Sequence, residues 1–296
     1  MSRSTWTLLA ILVLLIGIAV IVLQRPGERT SSDTSGAMLA TFDSAAVDRI
    51  DLHSTDGTVA LRKENGSWVL EAPLHYRADQ SAVMALISKA HSIAVKNVVS
   101  SNAEKFPLFK VDSTGTSVRL SSGTATLASF IVGKPSSSFT ETYVRKDGSS
   151  DVVLADGMFA YTFSRGANEW RDKTILTVKQ DEIQSVRFAF GDTVFTVTRA
   201  DSGWTVDGAK VSGSQIDRVM AALGGFAADG FIDTTFTPPK TPAATITVNG
   251  IDLRFYKETG NYSVQCSSTP QWFVVNDWKA QGVLKRKSEL LPGPPS

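Results

Sequence analysis

Hydrophobic and polar residues alternate along residues 47–70 in a way that is typical of antiparallel strands. Ile50 and Leu52 lie two residues apart and share one face of an extended chain. The alternation recurs at Val59 and Leu61 and again at Trp68 and Leu70. The turn sequences Asp56-Gly57 and Asn65-Gly66 separate these segments. The pattern therefore predicts a three-stranded meander with one buried face.

A helical pattern follows the meander. Asp79 is a suitable N-cap, because its short carboxylate can accept a hydrogen bond from a free amide of the first turn. Apolar residues then recur at helical spacing, namely Val83, Leu86, Ile87 and Ala90. We expect this helix to pack on the apolar face of the meander.

The same pattern returns after an offset of 136 residues. Trp68 is matched by Trp204, and the triplet Val83-Met84-Ala85 by Val219-Met220-Ala221. The second helical stripe comprises Ile216, Val219, Met220 and Leu223, and Ser212 and Gln215 have the spacing of a capping box. A shared tryptophan and a shared triplet at one offset indicate a duplicated unit.

Each half continues with four short alternating segments and a closing helix. The predicted strands are residues 117–120, 127–132, 142–145 and 151–154, and then 245–248, 253–256, 262–264 and 272–275. The predicted closing helices are residues 159–163 and 277–284. The sequence thus predicts an α+β protein with two tandem repeats, each an antiparallel β-meander plus one packing helix. The expected bounds are 41–180 and 181–285, followed by a loose C-terminal tail at 286–296.

Residues 6–23, from Trp6 to Leu23, contain no charged residue. Such a run would extend about 27 Å as a helix, close to the ~30 Å core of a bilayer. It exceeds the apolar part of an ordinary signal peptide and lacks a nearby small-x-small cleavage site. We therefore predict a single transmembrane helix after a short N-terminal tail (1–5), with a flexible tether at 24–40.

Composition favours an extracytoplasmic body. The chain has a single cysteine, Cys266, which excludes an internal disulfide and a cysteine-based metal site. Its 30 basic and 29 acidic side chains give a net charge of +1, which argues against nucleic-acid binding. Arg3 and Arg25 lie on opposite sides of the apolar segment, so charge does not decide its orientation. We expect the segment in a bacterial inner membrane, with the body on the periplasmic side.

Candidate chemistry is sparse. His53, His75 and His91 lack metal-site spacing, and no Gly-x-Ser-x-Gly sequence is present. Residues 133–138 begin Gly133-Lys134-Pro135, but the spacing of a phosphate loop is incomplete and Pro135 removes a donor. A strand-connecting loop is the simpler interpretation. We predict no catalytic, cofactor-binding or metal-binding residue, and no cofactor.

The densest aromatic and polar cluster is Trp170, Arg171, Asp172 and Lys173. Tryptophan and arginine are common binding hot spots, so this cluster is the candidate partner-binding site. The structural alternative is a junction between the repeats, with Trp170 buried and Arg171 paired with Asp172.

Several short motifs, in their order, resemble domain-of-unknown-function family 4340. They are residues 68–73, Ala78-Asp79, Phe106-Pro107-Leu108, Val118-Arg119-Leu120, Ile131-Val132-Gly133, Tyr143-Val144-Arg145 and Trp170-Arg171-Asp172-Lys173. The resemblance extends over about residues 47–291. It implies a single-pass envelope protein associated with ABC-2 type permeases and gliding-type transport components, and it carries no catalytic residues.

These observations predict a membrane-anchored, non-catalytic accessory or binding subunit of an ABC-type transport complex, with a permease and an ATPase as partners. One alternative is an anchored hydrolase, in which carboxylates among Asp48, Asp51, Asp79 and Asp229 would pair in a cleft. Another is a glycan- or lipid-binding module, which would present exposed aromatic residues or an apolar groove.

Overall fold

The structure is a computed structural model that describes residues 36–201, 203–211, 213–234 and 236–291. The predicted membrane segment at 6–23 and the N-terminal tail lie outside the described residues, as does Ser212 of the predicted capping box. Within the described ranges, no helix combines the length and the apolar character needed to cross a bilayer.

The chain forms two compact units that divide between Arg171 and Asp172. The first unit contains strands β1–β9 and helices α1–α4. The strands are Arg49–Ser54, Gly57–Glu64, Ser67–Ala72, Tyr76–Arg77, Val95–Ser100, Thr116–Ser122, Ala125–Pro135, Glu141–Lys146 and Val152–Asp156. The helices are Gln80–His91, Phe106–Phe109, Ala160–Phe163 and Ala167–Trp170. Short 3-10 turns lie at Ser44–Ala46 and Ala103–Lys105.

The strands of the first unit form one antiparallel sheet in the order β4-β3-β2-β1-β6-β7-β8-β9-β5. Helix α1 packs its predicted stripe into the core of this unit, where Val83, Leu86, Ile87 and Ala90 are all buried. Asp79 caps α1 as expected, since its Oδ1 accepts from the amide of Ala82 at 3.0 Å.

The second unit contains strands β10–β20 and helices α5–α7. The strands are Thr174–Thr177, Ser185–Phe190, Thr193–Ala200, Gly203–Val206, Ala209–Lys210, Gly225–Ala227, Gly230–Ile232, Ala244–Val248, Ile251–Lys257, Asn261–Cys266 and Trp272–Asn276. The helices are Gly213–Gly224, Asp277–Val283 and Lys287–Leu290, and a 3-10 turn lies at Gln180–Glu182. The main sheet has the order β14-β13-β12-β11-β17-β18-β19-β20-β16, while β10 pairs with β15.

The two main sheets have the same strand order when corresponding strands are compared, which confirms that the fold is duplicated. The register agrees as well. Ile50 opposes Leu61 in the first unit and Val186 opposes Val197 in the second. Trp68 and Trp204 occupy the same place in the third strand of each meander and are 3% and 8% exposed. The fold class is therefore α+β, with antiparallel meanders as predicted.

Some predicted boundaries are wrong. The sequence predicts a tether that includes residues 36–40, yet the amide of Leu39 bonds to the carbonyl of Ile93 and its side chain is buried in the first core. The predicted first repeat includes residues 172–180, but β10 pairs with β15 of the second unit. The tail expected from residue 286 begins with helix α7, because Leu290 is buried in the second core.

Strand β5 was not predicted from the sequence. Its pairing with β9 contains two irregularities, between Val95 and Asn97 and between Val98 and Ser100. Each irregularity shifts the register, so buried and exposed side chains do not alternate along the strand. An edge strand of this kind has no period-two pattern for sequence reasoning to detect.

Candidate functional site

The predicted partner-binding cluster spans the division between the two units. Trp170 ends helix α4 and is fully buried in the first core. Its carbonyl accepts from the amide of Asp79 at 2.8 Å, and its indole Nε1 donates to the carbonyl of Arg165 at 3.2 Å. Trp170 is therefore buried, as the structural interpretation expected, and its hydrogen bond to Asp79 joins the end of the first unit to the start of α1. A junction between the repeats stays a prediction.

Arg171 is 1% exposed, which is unusual for a guanidinium group. Its backbone pairs with that of Ala78, and its Nη1 donates to Asn168 Oδ1 at 2.9 Å. The guanidinium carbon lies 4.4 Å from the centre of the Tyr76 ring, within the range of a cation–π contact. These contacts hold the Arg171 side chain between α4 and β4.

Asp172 and Lys173 begin the second unit and are half-buried. The Asp172 carboxylate accepts from the amide of Thr174 at 2.9 Å, and the carbonyl of Lys173 accepts from the amide of Ala228 at 2.7 Å. The structure thus separates the cluster into a buried pair and a more accessible pair. Binding of a partner by these four residues stays a prediction.

The four carboxylates of the hydrolase alternative each have a local structural partner. Asp48 Oδ2 accepts from the amide of Gly123 at 2.8 Å, Asp51 pairs with Arg49 at 2.9 Å, and Asp79 caps helix α1. Asp229 accepts from Lys279 Nζ at 2.6 Å and from the amide of Asn276 at 2.7 Å.

The environment of Asp229 favours its charged form. Burial disfavours the charge, but the hydrogen bonds from Lys279 and Asn276 outweigh that penalty, and the pKa of Asp229 lies below its usual value. All four carboxylates are thus engaged in hydrogen bonds or ion pairs within their own unit.

The histidines do not form a shared site. His53 Nδ1 lies 3.0 Å from the Thr58 hydroxyl, and the His91 ring contacts Phe42 edge to face at 5.4 Å. In the described part of the chain, no group of three or more His, Cys, Asp or Glu residues could hold a metal ion.

The loop after Gly133 binds its own carboxylate. Glu141 accepts from the hydroxyls of Ser136 and Ser138 and from Lys96 Nζ at 2.9 Å. The Lys96 hydrogen bond, followed by those from the two hydroxyls, lowers the pKa of Glu141 to about 2. The hydroxyls of Ser136 and Ser138 in this loop thus already bind a carboxylate of the protein itself, that of Glu141.

Several residues that carry the family resemblance meet on one surface of the first sheet. The segment comprising α2 and residues 110–111 lies against Gly133. A Cβ atom on Gly133 would lie 2.2 Å from the Phe109 carbonyl oxygen, so only glycine allows this approach. The Arg145 guanidinium lies 4.3 Å from the centre of the Phe106 ring, and its Nε donates to the carbonyl of Val111 at 2.9 Å.

Each unit has a cleft at the same place in its fold. The cleft lies at the end of the first meander strand (β1 or β11) and the start of the strand beside it (β6 or β17). The end of the following strand (β7 or β18) and the helix after the last main strand (α3 or α6) complete it. In the first unit it has a volume of about 230 Å³ and is lined by Ser54, Thr116, Lys134 and Ala160, among others. In the second unit it has a volume of about 390 Å³ and is lined by Phe190, Ala244, Lys257 and Gln281, among others.

These lining residues correspond between the units. Ser54 and Phe190 are the last residues of β1 and β11, and Thr116 and Ala244 are the first of β6 and β17. Thr116 pairs with Val132, and Ala244 pairs with Phe255. Lys134 and Lys257 lie two residues after those partners and therefore occupy corresponding positions. The sequence pattern does not reveal the clefts, because the offset between the repeats becomes shorter after the first helix. Lys134 and Lys257 therefore do not align at the offset of 136 residues that relates the two meanders.

Comparison with known proteins identifies the family but no characterised relative. No curated protein matches the chain at a significant level. The model of one family matches residues 68–245, a narrower range than the 47–291 expected from the motifs. The match includes helices α1 and α5, the Trp170–Lys173 cluster and the surface around Gly133. Because the match covers 178 of 296 residues, the chain belongs to the family described as a domain of unknown function, DUF4340.

Proposed function

We propose that the protein is a non-catalytic, extracytoplasmic binding subunit of an ABC-type transport complex. Residues 6–23 would anchor it as a single pass in the bacterial inner membrane, and residues 24–35 would connect that anchor to the first described residues. The family resemblance implies a permease and its ATPase as partners, and ATP hydrolysis would belong to the ATPase because the chain has no nucleotide-binding motif of its own.

The observation that carries the proposal is the duplicated fold with a cleft in each unit. Binding proteins commonly use concave surfaces on a rigid scaffold, and each unit here offers a nine-stranded sheet with its own core. The four carboxylates weighed for hydrolysis all serve local structure, which favours binding over catalysis.

The accessible part of the Trp170–Lys173 cluster is the proposed contact for the permease. Trp170 and Arg171 are buried, so Asp172 and Lys173 are the members that a partner could reach. A charged pair at the edge of an interface mainly guides association and specificity. Replacing Lys173 should therefore weaken a complex without unfolding either unit.

Purification of the full-length protein from membranes in mild detergent tests this proposal. We expect a multi-span permease and its ATPase to co-purify in near-equal amounts, and the Lys173→Gln variant to retain less of both. Lys210→Gln is the matched control, since Lys210 is exposed on the short strand β14 of the same unit. Recovery of the wild-type protein without a permease would overturn the transport proposal.

A glycan- or lipid-binding module is the second candidate, and one observation favours it. Trp278, on helix α6, is 82% exposed. An exposed indole is suited to stacking on a sugar ring or to lying at a membrane surface. Binding of the purified protein to glycan arrays or vesicles that is lost in Trp278→Ala would support this candidate over the transport proposal.

A further inference from the structure

The cleft of the second unit carries an excess of positive charge. Three cations, Lys257, Lys285 and Arg286, line it together with one carboxylate, Glu289. The unit as a whole is balanced, with 13 basic and 13 acidic side chains from residue 172 to residue 296. The lining therefore has a formal charge of +2 within a neutral unit, and counting Asp277, which bonds Lys257, still leaves +1, so an anion is favoured there.

The Arg286 guanidinium is held in position without an acidic partner. It lies 4.7 Å from the centre of the Phe190 ring, which restricts its motion while leaving its N–H edges free to donate. Of the residues that the structure describes, none forms an ion pair with this guanidinium. The neighbouring Glu289 carboxylate instead accepts from the Arg286 amide at 2.7 Å.

The two lysines are only partly neutralised. Lys285 Nζ lies 3.9 Å from Glu289, at the outer limit of an ion pair, and its side chain is 26% exposed. Lys257 bonds to Asp277 and also lies 4.6 Å from the centre of the Tyr262 ring. An anion in the cleft would thus meet a fixed guanidinium and two ammonium groups that can reorient.

The corresponding cleft of the first unit also has a lysine at this position, Lys134. The other lining residues at corresponding positions differ, namely Ser54 and Phe190, and Thr116 and Ala244. A cation thus lies at the corresponding place in both clefts although the neighbouring side chains have changed. Arg286 and the larger volume distinguish the second cleft.

We propose that the cleft of the second unit binds a phosphate group. A phosphate monoester has three terminal oxygens, which can accept from the Arg286 guanidinium and from both ammonium groups at once, whereas a carboxylate has only two. Arginine forms paired hydrogen bonds with phosphate oxygens, and lysines add further donors. The apolar lining at Ala243, Ala244 and Leu284 would contact the rest of the ligand. This inference does not rest on a permease partner.

The test uses the purified full-length protein in neutral detergent, with binding measured by calorimetry. Inorganic phosphate and dihexanoyl phosphatidic acid are the probes, and dihexanoyl phosphatidylcholine is the zwitterionic control. We expect phosphatidic acid or phosphate to bind in a salt-sensitive manner and phosphatidylcholine not to bind. Arg286→Gln should weaken binding about tenfold, since it removes charged hydrogen bonds.

Arg187→Gln is the matched control, because Arg187 is exposed on β11 and does not line the cleft. Its affinity should stay within about twofold of the wild type, inside the range of ordinary surface changes. Lys285→Gln provides a second variant with the same expected weakening. An unchanged melting temperature without ligand shows that each variant is folded.

The two probes also distinguish the source of the phosphate. Tighter binding of phosphatidic acid, weakened by Trp278→Ala, would identify a lipid headgroup, because Trp278 lies one helical turn before the lining residue Gln281. Equal binding of both probes, unaffected by that substitution, would identify a free phosphate. Failure of both to bind the wild type, or equal binding by Arg286→Gln and the wild type, would overturn the proposal.

Discussion

Replacing Gly133 by alanine tests whether the α2 segment is packed on the sheet as closely as the structure indicates. The new Cβ would lie 2.2 Å from the Phe109 carbonyl oxygen and 2.8 Å from Val111 Cγ1. Relief requires the segment to move by about 1 Å, because Cβ atoms essentially never approach other heavy atoms closer than 3.0 Å. Such a shift would strain the Arg145 hydrogen bond to Val111 and the contact between Arg145 and Phe106.

The expected loss of stability is about 3 kcal/mol, the upper part of the range for overpacking a well-filled site. For a unit of this size, that loss corresponds to a fall of about 10 °C in melting temperature. The second unit shows that the strand itself does not require glycine at this position. There the corresponding residue, next to Phe255, is Tyr256, which is 7% exposed and packs against Trp272.

Thermal unfolding of the full-length protein in mild detergent, together with hydrogen exchange at residues 106–111, measures the effect. Gly166→Ala is the control within the same unit, because a Cβ there would meet its nearest neighbour at 3.9 Å. We expect that control to cost at most about 1 kcal/mol, because alanine is less favourable than glycine at the N-cap of α4. A melting temperature for Gly133→Ala within about 2 °C of the wild type would refute the close packing of this segment.

Three further results are expected. NMR titration should place the pKa of Glu141 at about 2. Because the folded state favours the charged carboxylate, Glu141 stabilises the folded protein above its ordinary pKa of 4.5, and this stabilisation is lost as the pH falls toward 2. Lys96→Gln should raise that pKa, and an unchanged value would exclude the ion pair. Asp79→Ala should cost about 1 kcal/mol in thermal unfolding through loss of the α1 cap, whereas Asp79→Asn should retain most of it. Trp170→Ala should cost about 3–5 kcal/mol in the same assay, and a loss below about 1 kcal/mol would contradict its burial in the first core.

The two repeats share a framework but differ in what covers it. In the first unit, the segment of α2 lies on the sheet beside Gly133 and Arg145. In the second unit, the corresponding surface contains Tyr256 and Trp272, whose rings lie 5.4 Å apart. The duplicated meander and helix thus provide the stable part of each unit, and the segments inserted between the strands differ.

The duplicated framework follows from the amino-acid sequence alone. The alternation at Ile50 and Leu52 and its return at Val186 and Phe188 place corresponding apolar side chains in the two cores, and the stripes of α1 and α5 do likewise. These features depend on neighbours a few residues apart, since every second side chain of a strand, and every third or fourth side chain of a helix, lies on the same face. Periodicity therefore predicts them without knowledge of the rest of the fold.

The positions of the clefts and the charges that they contain depend on the tertiary structure. Lys257 and Arg286 are 29 positions apart in the sequence, and Phe190 is farther still, yet all three line one cleft. Strand β5 and the burial of Arg171 likewise depend on partners distant in the sequence, namely β9 and Tyr76. Contacts between distant segments have no periodic signature, because they result from how the sheet orders its strands and not from the local pattern that forms each strand.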